Sequence, residues 1–315
     1  MNVREAGELA VIRQLRAIFD APRADILVAN GDDAAVWQPD GAVVATVDSV
    51  VAGVDWLTDR TPPDAIGHRA AAVNLSDLAA MAAQPRILLL ALELPPDQDL
   101  STLLEAARGL QRLAHQHGAL VVGGDLGFSP GPARWTVTAL GTLSGAPLRR
   151  DRARPGDAVW LVGDVGKSAL GLAALRIGAD LPDLIAAHLW PQPLVEIALQ
   201  LRDAGVRAAI DVSDGLGLDA ERLARASTVD LRLELPRPAW LTAELEAWTS
   251  AADLDWRAAC AAGGDDYALL CTAHADLDLR AFGALRVGEA AAGDGRVTLQ
   301  IAGLPAVVQG FRHGA

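Results

Sequence analysis

The chain has 315 residues, enough for two domains of ordinary size, and 51% of them are hydrophobic, enough for a sizeable core. Its 40 acidic residues outnumber its 27 basic residues and give a formal net charge of −13. This balance argues against binding to nucleic acid or to an anionic membrane surface, because both attract a basic face. An acidic protein that handles anionic phosphates would need metal ions as intermediaries.

The N-terminal half alternates between helix-like and strand-like segments. Helical periodicity covers residues 5–19, 62–83 and 100–117, and strand-like runs cover residues 42–46, 86–94, 120–122 and 134–142. Pro62 and Pro63 stand at the start of the second helix, where proline is tolerated because the first N–H groups of a helix have no partner within it. Alternation of this kind predicts an α/β or α+β domain.

A charged segment at residues 149–157, RRDRARPGD, is the predicted linker, because its Pro-Gly pair interrupts regular structure. It divides the chain into an N-terminal domain at residues 1–148 and a C-terminal α/β domain at residues 149–315. In the second domain, helices are predicted at residues 168–176, 194–203 and 216–226, and strands at residues 159–162, 267–272 and 297–301.

The N-terminal sequence, the apolar runs and the cysteines do not suggest a secreted or membrane-bound protein. The N-terminal sequence MNVREAGELAV has no apolar core typical of a signal peptide, and no apolar run reaches membrane-spanning length. Cys260 and Cys271 lack metal-binding spacing and are interpreted as reduced core thiols. We therefore expect a cytoplasmic protein.

Six short polar clusters combine aspartate with glycine, serine or threonine. They are GDDAAV at 31–36, TVDS at 46–49, NLSD at 74–77, GGD at 123–125, DVSDG at 211–215 and GGDDY at 263–267. Any one of them is typical of a turn or a helix cap. Together they favour phosphate chemistry, because Mg²⁺ prefers carboxylate oxygens and glycine lets backbone N–H groups approach phosphates. Two carboxylates ~4 Å apart repel by roughly 4 kcal/mol at an effective dielectric near 20, so converging clusters imply bound cations or wide spacing.

Three further features leave alternatives open. The sequence GDVGKS at 163–168 is no P-loop, because Leu161 stands where that motif requires glycine. Lys167, the only lysine, fits a phosphate contact and an ordinary helix-start residue equally well. Segments 72–81 and 209–219 share a Ser-Asp element that could reflect related halves or chance. For Trp56, beside an aspartate cluster, a core or surface role is favoured over stacking on a base.

In their order and spacing the clusters resemble those of the thiamine-monophosphate kinases. That family shares a superfamily with aminoimidazole ribonucleotide synthetase, selenophosphate synthetase and the hydrogenase-maturation dehydratase. The resemblance runs from about residue 31 to residue 270 and also rests on VDSVVAGVDW at 47–56 and on RDRARPGD at 150–157. The sequences NLSDLAAM and GGDDY point to the thiamine branch.

The resemblance implies a two-domain α/β (α+β) fold, in which N-terminal mixed sheets pair in a homodimer and the C-terminal domain closes an active-site cleft. It implies transfer of the γ-phosphoryl group of ATP to thiamine monophosphate, with several Mg²⁺ ions and no catalytic residue beyond the metal ligands. The implied metal ligands are Asp33, Thr46, Asp48, Asp77, Asp125, Asp211 and Asp214. The implied ATP contacts are Gly124, Asp125, Arg150 and Ser213.

Three positions on the substrate side depart from the family pattern. Asp55 stands where the family usually has histidine, Asp265 where it usually has glutamate, and Val308 about where it has tryptophan. Trp56 could supply a substitute ring beside Asp55. Two alternatives therefore stay open: a superfamily enzyme that acts on another acceptor, and a non-catalytic protein that binds a nucleotide or thiamine phosphate.

Overall fold

Two units, each with its own sheet, make up the part of the chain that the computed structural model describes, namely residues 1–20, 22–308 and 310. The N-terminal unit comprises Met1–Leu78 and Ala83–Gly145, and the C-terminal unit comprises Ala79–Ala82 and Ala146–Ala315. Both contain mixed sheets with packed helices, which confirms the predicted α/β (α+β) class. Among the described residues, no helix is long and apolar enough to cross a membrane.

The N-terminal unit is built on a four-stranded sheet in the order β3-β6-β4-β5, in which only β4 and β5 run parallel. Its helices are α1 (Val3–Ala6), α2 (Glu8–Phe19), α3 (Pro63–Ala80) and α4 (Leu100–Gln116). Its strands are β1 (Ile26–Val28), β2 (Val36–Trp37), β3 (Ala42–Val51), β4 (Gln84–Leu94), β5 (Leu120–Phe128) and β6 (Arg134–Leu143). The strands β1 and β2 form a separate pair.

The two faces of this sheet differ because strand residues alternate between them. On β4, Leu88, Leu90 and Leu92 are buried, whereas Ala91 and Glu93 between and beyond them are exposed. We call the face that carries Leu88, Leu90 and Leu92 the packed face, and the face that carries Ala91 and Glu93 the open face. Helix α3 covers part of the packed face, and at the opposite face the β1–β2 pair covers only one end of the sheet.

Three predicted segments of this unit differ from the structure, and one of them is the strand expected at 42–46, which continues to Val51. The single helix expected at 5–19 is divided at Gly7, whose φ of +79° lies in the left-handed region that favours glycine. The strand expected at 120–122 continues to Phe128, so the GGD cluster lies inside β5 and not in a loop. Its ladder with β4 supplies hydrogen-bonding partners that the local sequence does not reveal.

The C-terminal unit has a seven-stranded sheet in the order β13-β12-β9-β11-β7-β10-β8. Its strands are β7 (Asp157–Val162), β8 (Ala208–Val212), β9 (Val229–Leu235), β10 (Ala268–His274), β11 (Ala284–Ala292), β12 (Val297–Ile301) and β13 (Leu304–Ala306). Its helices are α5 (Lys167–Ile177), α6 (Pro182–Leu189), α7 (Val195–Asp203), α8 (Leu216–Ser227), α9 (Ala243–Ala251) and α10 (Trp256–Ala262), with a 3₁₀ turn at Arg280–Phe282.

The inner strand β7 is buried along its whole length, because separate apolar cores cover both faces of the sheet around it. Cys260 belongs to one core and Cys271 to the other, and both are buried free thiols as predicted. Strands β8, β9, β11 and β13 were not predicted. Strands β8 and β11 are rich in alanine, a poor strand former, so that packing decides their conformation more than propensity does.

Candidate active site

One pair of predicted ligands meets where β3 faces α3. The Thr46 hydroxyl donates a hydrogen bond of 2.6 Å to an Asp77 carboxylate oxygen. Asp48 lies two residues along β3 from Thr46 and therefore on the same face of the strand. The clusters TVDS and NLSD, about 30 residues apart in the sequence, thus place three oxygen-bearing side chains on the packed face of the N-terminal sheet.

Asp125 does not join them on this face. Across β6 and β4, the register places Gly124 of β5 in the same row as Asp48, whereas Asp125 pairs with Ala91 of the open face. Gly124 also has a structural role, because a Cβ there would lie 1.9 Å from the Leu90 carbonyl oxygen. Whatever Asp125 binds, it approaches from the open side of the sheet.

The first aspartate cluster lies in a loop whose base is fixed. The Asn30 side chain donates to the Val121 carbonyl oxygen at 2.8 Å, and the Arg16 guanidinium donates to the Asn30 carbonyl oxygen at 2.9 Å. Asp33 itself is exposed, and its backbone N–H donates to the Asp32 side chain at 2.9 Å. The loop therefore presents Asp33 to solvent from a secured position.

The segment after β3 uses Asp55 to close a turn. Its carboxylate accepts the Val51 backbone N–H at 2.7 Å, while its own N–H donates to the Val51 carbonyl oxygen at 2.9 Å. The neighbouring Trp56 is only 5% exposed. The idea that Trp56 offers a substitute ring to a ligand is therefore wrong, because its ring is packed inside the protein.

In the C-terminal unit, the loops that follow β8 and precede β10 are joined through their backbones. The N–H of Asp265 donates to the Ser213 carbonyl oxygen, and that of Tyr267 to the Val212 carbonyl oxygen, both at 2.8 Å. Asp265 and Tyr267 have φ values of +64° and +52°. Such left-handed conformations cost about 1 kcal/mol or more and often occur at functional sites. The Tyr267 hydroxyl donates to the Asp265 carboxylate at 3.0 Å.

The next residue, Asp266, caps the N-terminus of α5 with its side chain. Its carboxylate accepts the backbone N–H groups of Gly166 at 2.7 Å and Ser168 at 3.0 Å. Burial raises the pKa of Asp266 to about 7, although these two N–H groups favour the ionised form. The helix start in GDVGKS is thus satisfied by a carboxylate of the protein itself and offers those N–H groups to no phosphate.

The contacts of Lys167 support its interpretation as an ordinary helix-start residue. Its ammonium nitrogen lies 2.6 Å from an Asp164 carboxylate oxygen and 6.0 Å from the centre of the Trp240 ring. Of the two alternatives that the sequence left open for Lys167, these contacts favour the one without a phosphate.

The DVSDG loop carries two predicted ligands, and a network that the sequence did not reveal surrounds the second. Asp211 is buried on β8. The Arg222 guanidinium nitrogen Nη1 lies 2.6 Å from Asp214 Oδ2 and also 2.6 Å from Asp219 Oδ1. Burial raises the pKa of Asp219, against the opposing effects of backbone N–H donors and Arg222. The only local sign in the sequence was the Asp219–Arg222 spacing of three residues on a helix.

The two Ser-Asp elements that looked like an internal echo have different structures. Asp77 lies inside the helix α3, whereas Asp214 lies in the loop between β8 and α8. The structure gives no support to an internal relationship between the segments.

Arg150 and Val308 lie in different surroundings. The Arg150 carbonyl oxygen accepts the Ser227 hydroxyl at 2.6 Å, at the end of α8 opposite to Asp214. A 12-residue helix spans about 18 Å, so Arg150 and Asp214 are well separated. Val308 is half-buried against the core of the C-terminal unit. A Cβ on Gly310 would lie 2.3 Å from the Asp214 carbonyl oxygen, so this C-terminal segment passes close to the DVSDG loop.

The predicted ligand residues fit magnesium in their chemistry, because they offer only carboxylate and hydroxyl oxygens. Within residues 1–20, 22–308 and 310, however, no group of three or more Asp, Glu, His or Cys side chains is close enough to hold a metal ion. The Thr46–Asp77 pair beside Asp48 is the part of the set that the fold brings together. Asp214 is instead engaged by a guanidinium.

Comparison with known proteins extends the match over most of the chain. The family described as AIR synthase related protein, N-terminal domain, matches residues 31–143, and its C-terminal domain counterpart matches residues 154–298. Thiamine-monophosphate kinase of Synechococcus elongatus is 37% identical over 284 residues, which cover 85% of this chain and 82% of the relative.

Solved structures give the same picture. The crystal structure of thiamine-monophosphate kinase from Stenotrophomonas maltophilia is 36% identical, with a TM-score of 0.80, and the match covers 95% of this chain and 98% of that one. A structure described as AaThiL complexed with AMPPCP and TMP is 26% identical, with a TM-score of 0.77, and the match covers 99% of both chains.

Proposed function

The chain belongs to the thiamine-monophosphate kinase family of AIR synthase related proteins, and on this premise we propose that it transfers the γ-phosphoryl group of ATP to thiamine monophosphate, giving thiamine diphosphate. The observation that carries the proposal is the 2.6 Å contact between Thr46 and Asp77 beside Asp48. It unites two of the family's aspartate clusters in a group of oxygen donors suited to a cation that accompanies phosphates.

The chemistry asks little covalent work of the protein. The acceptor is a phosphate oxygen that is already anionic, so no general base is needed, and positioning with charge neutralisation carries the reaction. When bound, Mg²⁺ would neutralise phosphate charge and stabilise the transition state by several kcal/mol. Thr46, Asp48 and Asp77 would hold it in the N-terminal unit, and Asp211 and Asp214 in the C-terminal unit.

The remaining site residues keep the roles that the family resemblance implies. Asp33, on its anchored loop, and Asp125, on the face of the sheet opposite to Asp48, would be further metal ligands. Gly124, Asp125, Arg150 and Ser213 would contact ATP. Exposure of the Asp33 and Arg150 side chains supports their availability to a ligand.

Recognition of the acceptor is the part of the proposal where this chain differs from the family. The Asp55 carboxylate is engaged by the Val51 N–H, and that of Asp265 by the Tyr267 hydroxyl. Thiamine carries a cationic thiazolium ring, so two carboxylates suit its charge. Val308 supplies no aromatic ring, and an aromatic partner adds roughly 0.5–1.5 kcal/mol beyond buried area. At ~1.4 kcal/mol per tenfold, we expect thiamine monophosphate to bind up to about tenfold more weakly than with tryptophan at this position.

The test is an assay of the purified chain with Mg-ATP and thiamine monophosphate, followed by detection of thiamine diphosphate. We expect product that disappears with EDTA and returns with added Mg²⁺ or Mn²⁺. If no thiamine diphosphate forms but another phosphorylated compound stimulates ADP release, the enzyme uses that compound as its acceptor, and the thiamine assignment is wrong. Binding of ATP without any ADP release would indicate a non-catalytic protein.

We also propose a homodimer that pairs through the β3 edge of the open face of the N-terminal sheet, at the opposite edge from β5 with Asp125. On β3, Val43 and Val47 are 47% and 62% exposed, an unusual placement for apolar side chains on a strand. Pairing with the same face of a second copy would bury both. A cytoplasmic location, which an ATP-dependent kinase requires for its co-substrate, stays a prediction.

A further inference from the structure

Arg222 and Asp219 form a hydrogen-bonded, charged network with Asp214 that the proposed reaction does not by itself require. Asp219, on the first turn of α8, is 1% exposed, and its Oδ2 accepts the backbone N–H groups of Ser213 at 3.1 Å and Asp214 at 2.9 Å. This carboxylate therefore fixes the course of the DVSDG loop. A buried carboxylate with two such donors is firmly placed, because an unmade bond there would be costly.

The other oxygen of Asp219 shares a cation with Asp214. A single guanidinium nitrogen of Arg222 lies 2.6 Å from Asp219 Oδ1 and 2.6 Å from Asp214 Oδ2. Without that cation the two carboxylates would repel each other, because like charges this close disfavour one another. The guanidinium of Arg222 thus supplies the positive charge beside Asp214 that a bound divalent cation would otherwise supply.

The three side chains differ in their freedom to move. Asp219 is held by backbone donors, whereas the Arg222 side chain is 41% exposed and that of Asp214 is 25% exposed. Arg222 is the most exposed of the three side chains, and its exposure leaves the guanidinium room to turn away from Asp214. Asp219 could not move in the same way without losing its two hydrogen bonds from backbone N–H groups.

We propose that Arg222 is a resident counter-cation that neutralises Asp214 until a divalent metal ion takes its place, and that Asp219 is the positioning residue that holds the loop and receives the displaced guanidinium. This inference rests on the proposed metal role of Asp214. It assigns Arg222 a competing role, so that the arginine lowers metal affinity while it stabilises the metal-free protein.

The test measures Mn²⁺ binding by the full chain without ATP or thiamine monophosphate, using electron paramagnetic resonance of free Mn²⁺. Asp214→Asn first identifies the site concerned, because it should remove one class of bound Mn²⁺. At that site we expect Arg222→Met to bind Mn²⁺ about tenfold more tightly. Asp219→Asn should instead weaken Mn²⁺ binding several-fold. In this variant Arg222 would pair with Asp214 alone and would compete more strongly with the metal ion.

A matched control removes the same charge from the same helix. Arg225 lies one turn further along α8 and pairs with Glu221 at 2.6 Å, so Arg225→Met should leave the Mn²⁺ affinity within about twofold of the wild type. A second readout is urea unfolding: Arg222→Met should lower the midpoint in EDTA, and saturating Mn²⁺ should reduce the difference from wild type.

The proposal is overturned if Arg222→Met binds Mn²⁺ as the wild type does or more weakly, if Arg225→Met gives the same gain as Arg222→Met, or if Asp214→Asn removes no Mn²⁺. These outcomes are independent of the kinase assay. Metal exchange can hold in a protein that makes no thiamine diphosphate, and an active kinase can lack it.

Discussion

At the scale of single residues, the site combines exposed ligand residues with half-buried residues that also make hydrogen bonds within the fold. Asp33 and Asp48 are exposed, whereas Asp77 accepts the Thr46 hydroxyl and Asp55 closes a turn. Removing an exposed carboxylate should change chemistry without changing stability. Removing the buried ring of Trp56, next to Asp55, should do the reverse, and this contrast separates the two roles.

Asp33→Asn tests an exposed ligand. We expect turnover to fall by well over tenfold, because a neutral amide is a poorer magnesium ligand than a carboxylate. The urea midpoint should stay unchanged, since the side chain is exposed. Asp40→Asn, another exposed aspartate of the same unit, serves as the control and should keep full activity. Near-normal turnover of Asp33→Asn would remove Asp33 from the metal ligands.

Trp56→Ala tests a residue of the core. Truncating a buried tryptophan costs about 3–5 kcal/mol, through lost burial and the cavity left behind. We expect a large loss of unfolding free energy in urea, with a smaller loss for Trp56→Phe. If Trp56→Ala kept its stability and raised only the Michaelis constant for thiamine monophosphate, the ring would be a ligand contact after all.

At the scale of elements, the start of α5 shows how a residue distant in sequence can complete a helix. Its N-cap, Gly166, has no side chain to accept the free N–H groups, and Asp266 accepts two of them from a loop about 100 residues later. The same loop is hydrogen-bonded to the DVSDG loop. The cap therefore also fixes the position of Asp265.

The raised pKa of Asp266 predicts a pH dependence of stability. A carboxyl with an ordinary pKa of 3.8 when unfolded and about 7 when folded keeps its proton longer in the folded state. Its contribution to stability is therefore present at low pH and is lost as the pH rises from about 4 through 7, by up to about 4 kcal/mol.

The measurement compares wild type with Asp266→Asn, which cannot ionise, by urea unfolding at pH 5 and pH 8. We expect the stability advantage of wild type over the variant to shrink as the pH rises. An advantage that is constant over this range would mean that Asp266 keeps an ordinary pKa in the folded protein.

At the scale of the whole molecule, the ligand residues are divided between two units that each have their own sheet and core. The N-terminal unit carries Asp33, Thr46, Asp48, Asp77 and Asp125, and the C-terminal unit carries Asp211 and Asp214. The N-terminal sheet also leaves one face partly open, with exposed valines on β3. Association through this face is the assembly that its apolar character favours.

Val47→Glu should disrupt that association, because it places a charge among the exposed apolar side chains of the edge strand β3. We expect light scattering at micromolar concentration to report a dimer for wild type and a monomer for the variant. Ile177→Glu, at an apolar position of the C-terminal unit with similar exposure, should leave the dimer intact. A monomeric wild type would contradict the proposed assembly.

By itself, the sequence determined the chemical character of the site and the helices with strong local signals. The aspartate clusters and the bounds of α3 and α4 could be read to within a few residues, because apolar periodicity and helix-start residues act over one or two turns. The family and the fold class followed from the order of these clusters.

Tertiary structure alone decided which of these residues meet. Strand register placed Asp125 on the face opposite to Asp48, and a distant loop brought Asp266 to α5. It also drew Arg222 onto Asp214 and turned the alanine-rich segments of β8 and β11 into strands. Except for the Arg222 network, whose Asp219–Arg222 spacing is visible in the sequence, these outcomes depend on residues far apart in the chain and on packing and hydrogen bonds that no local pattern encodes.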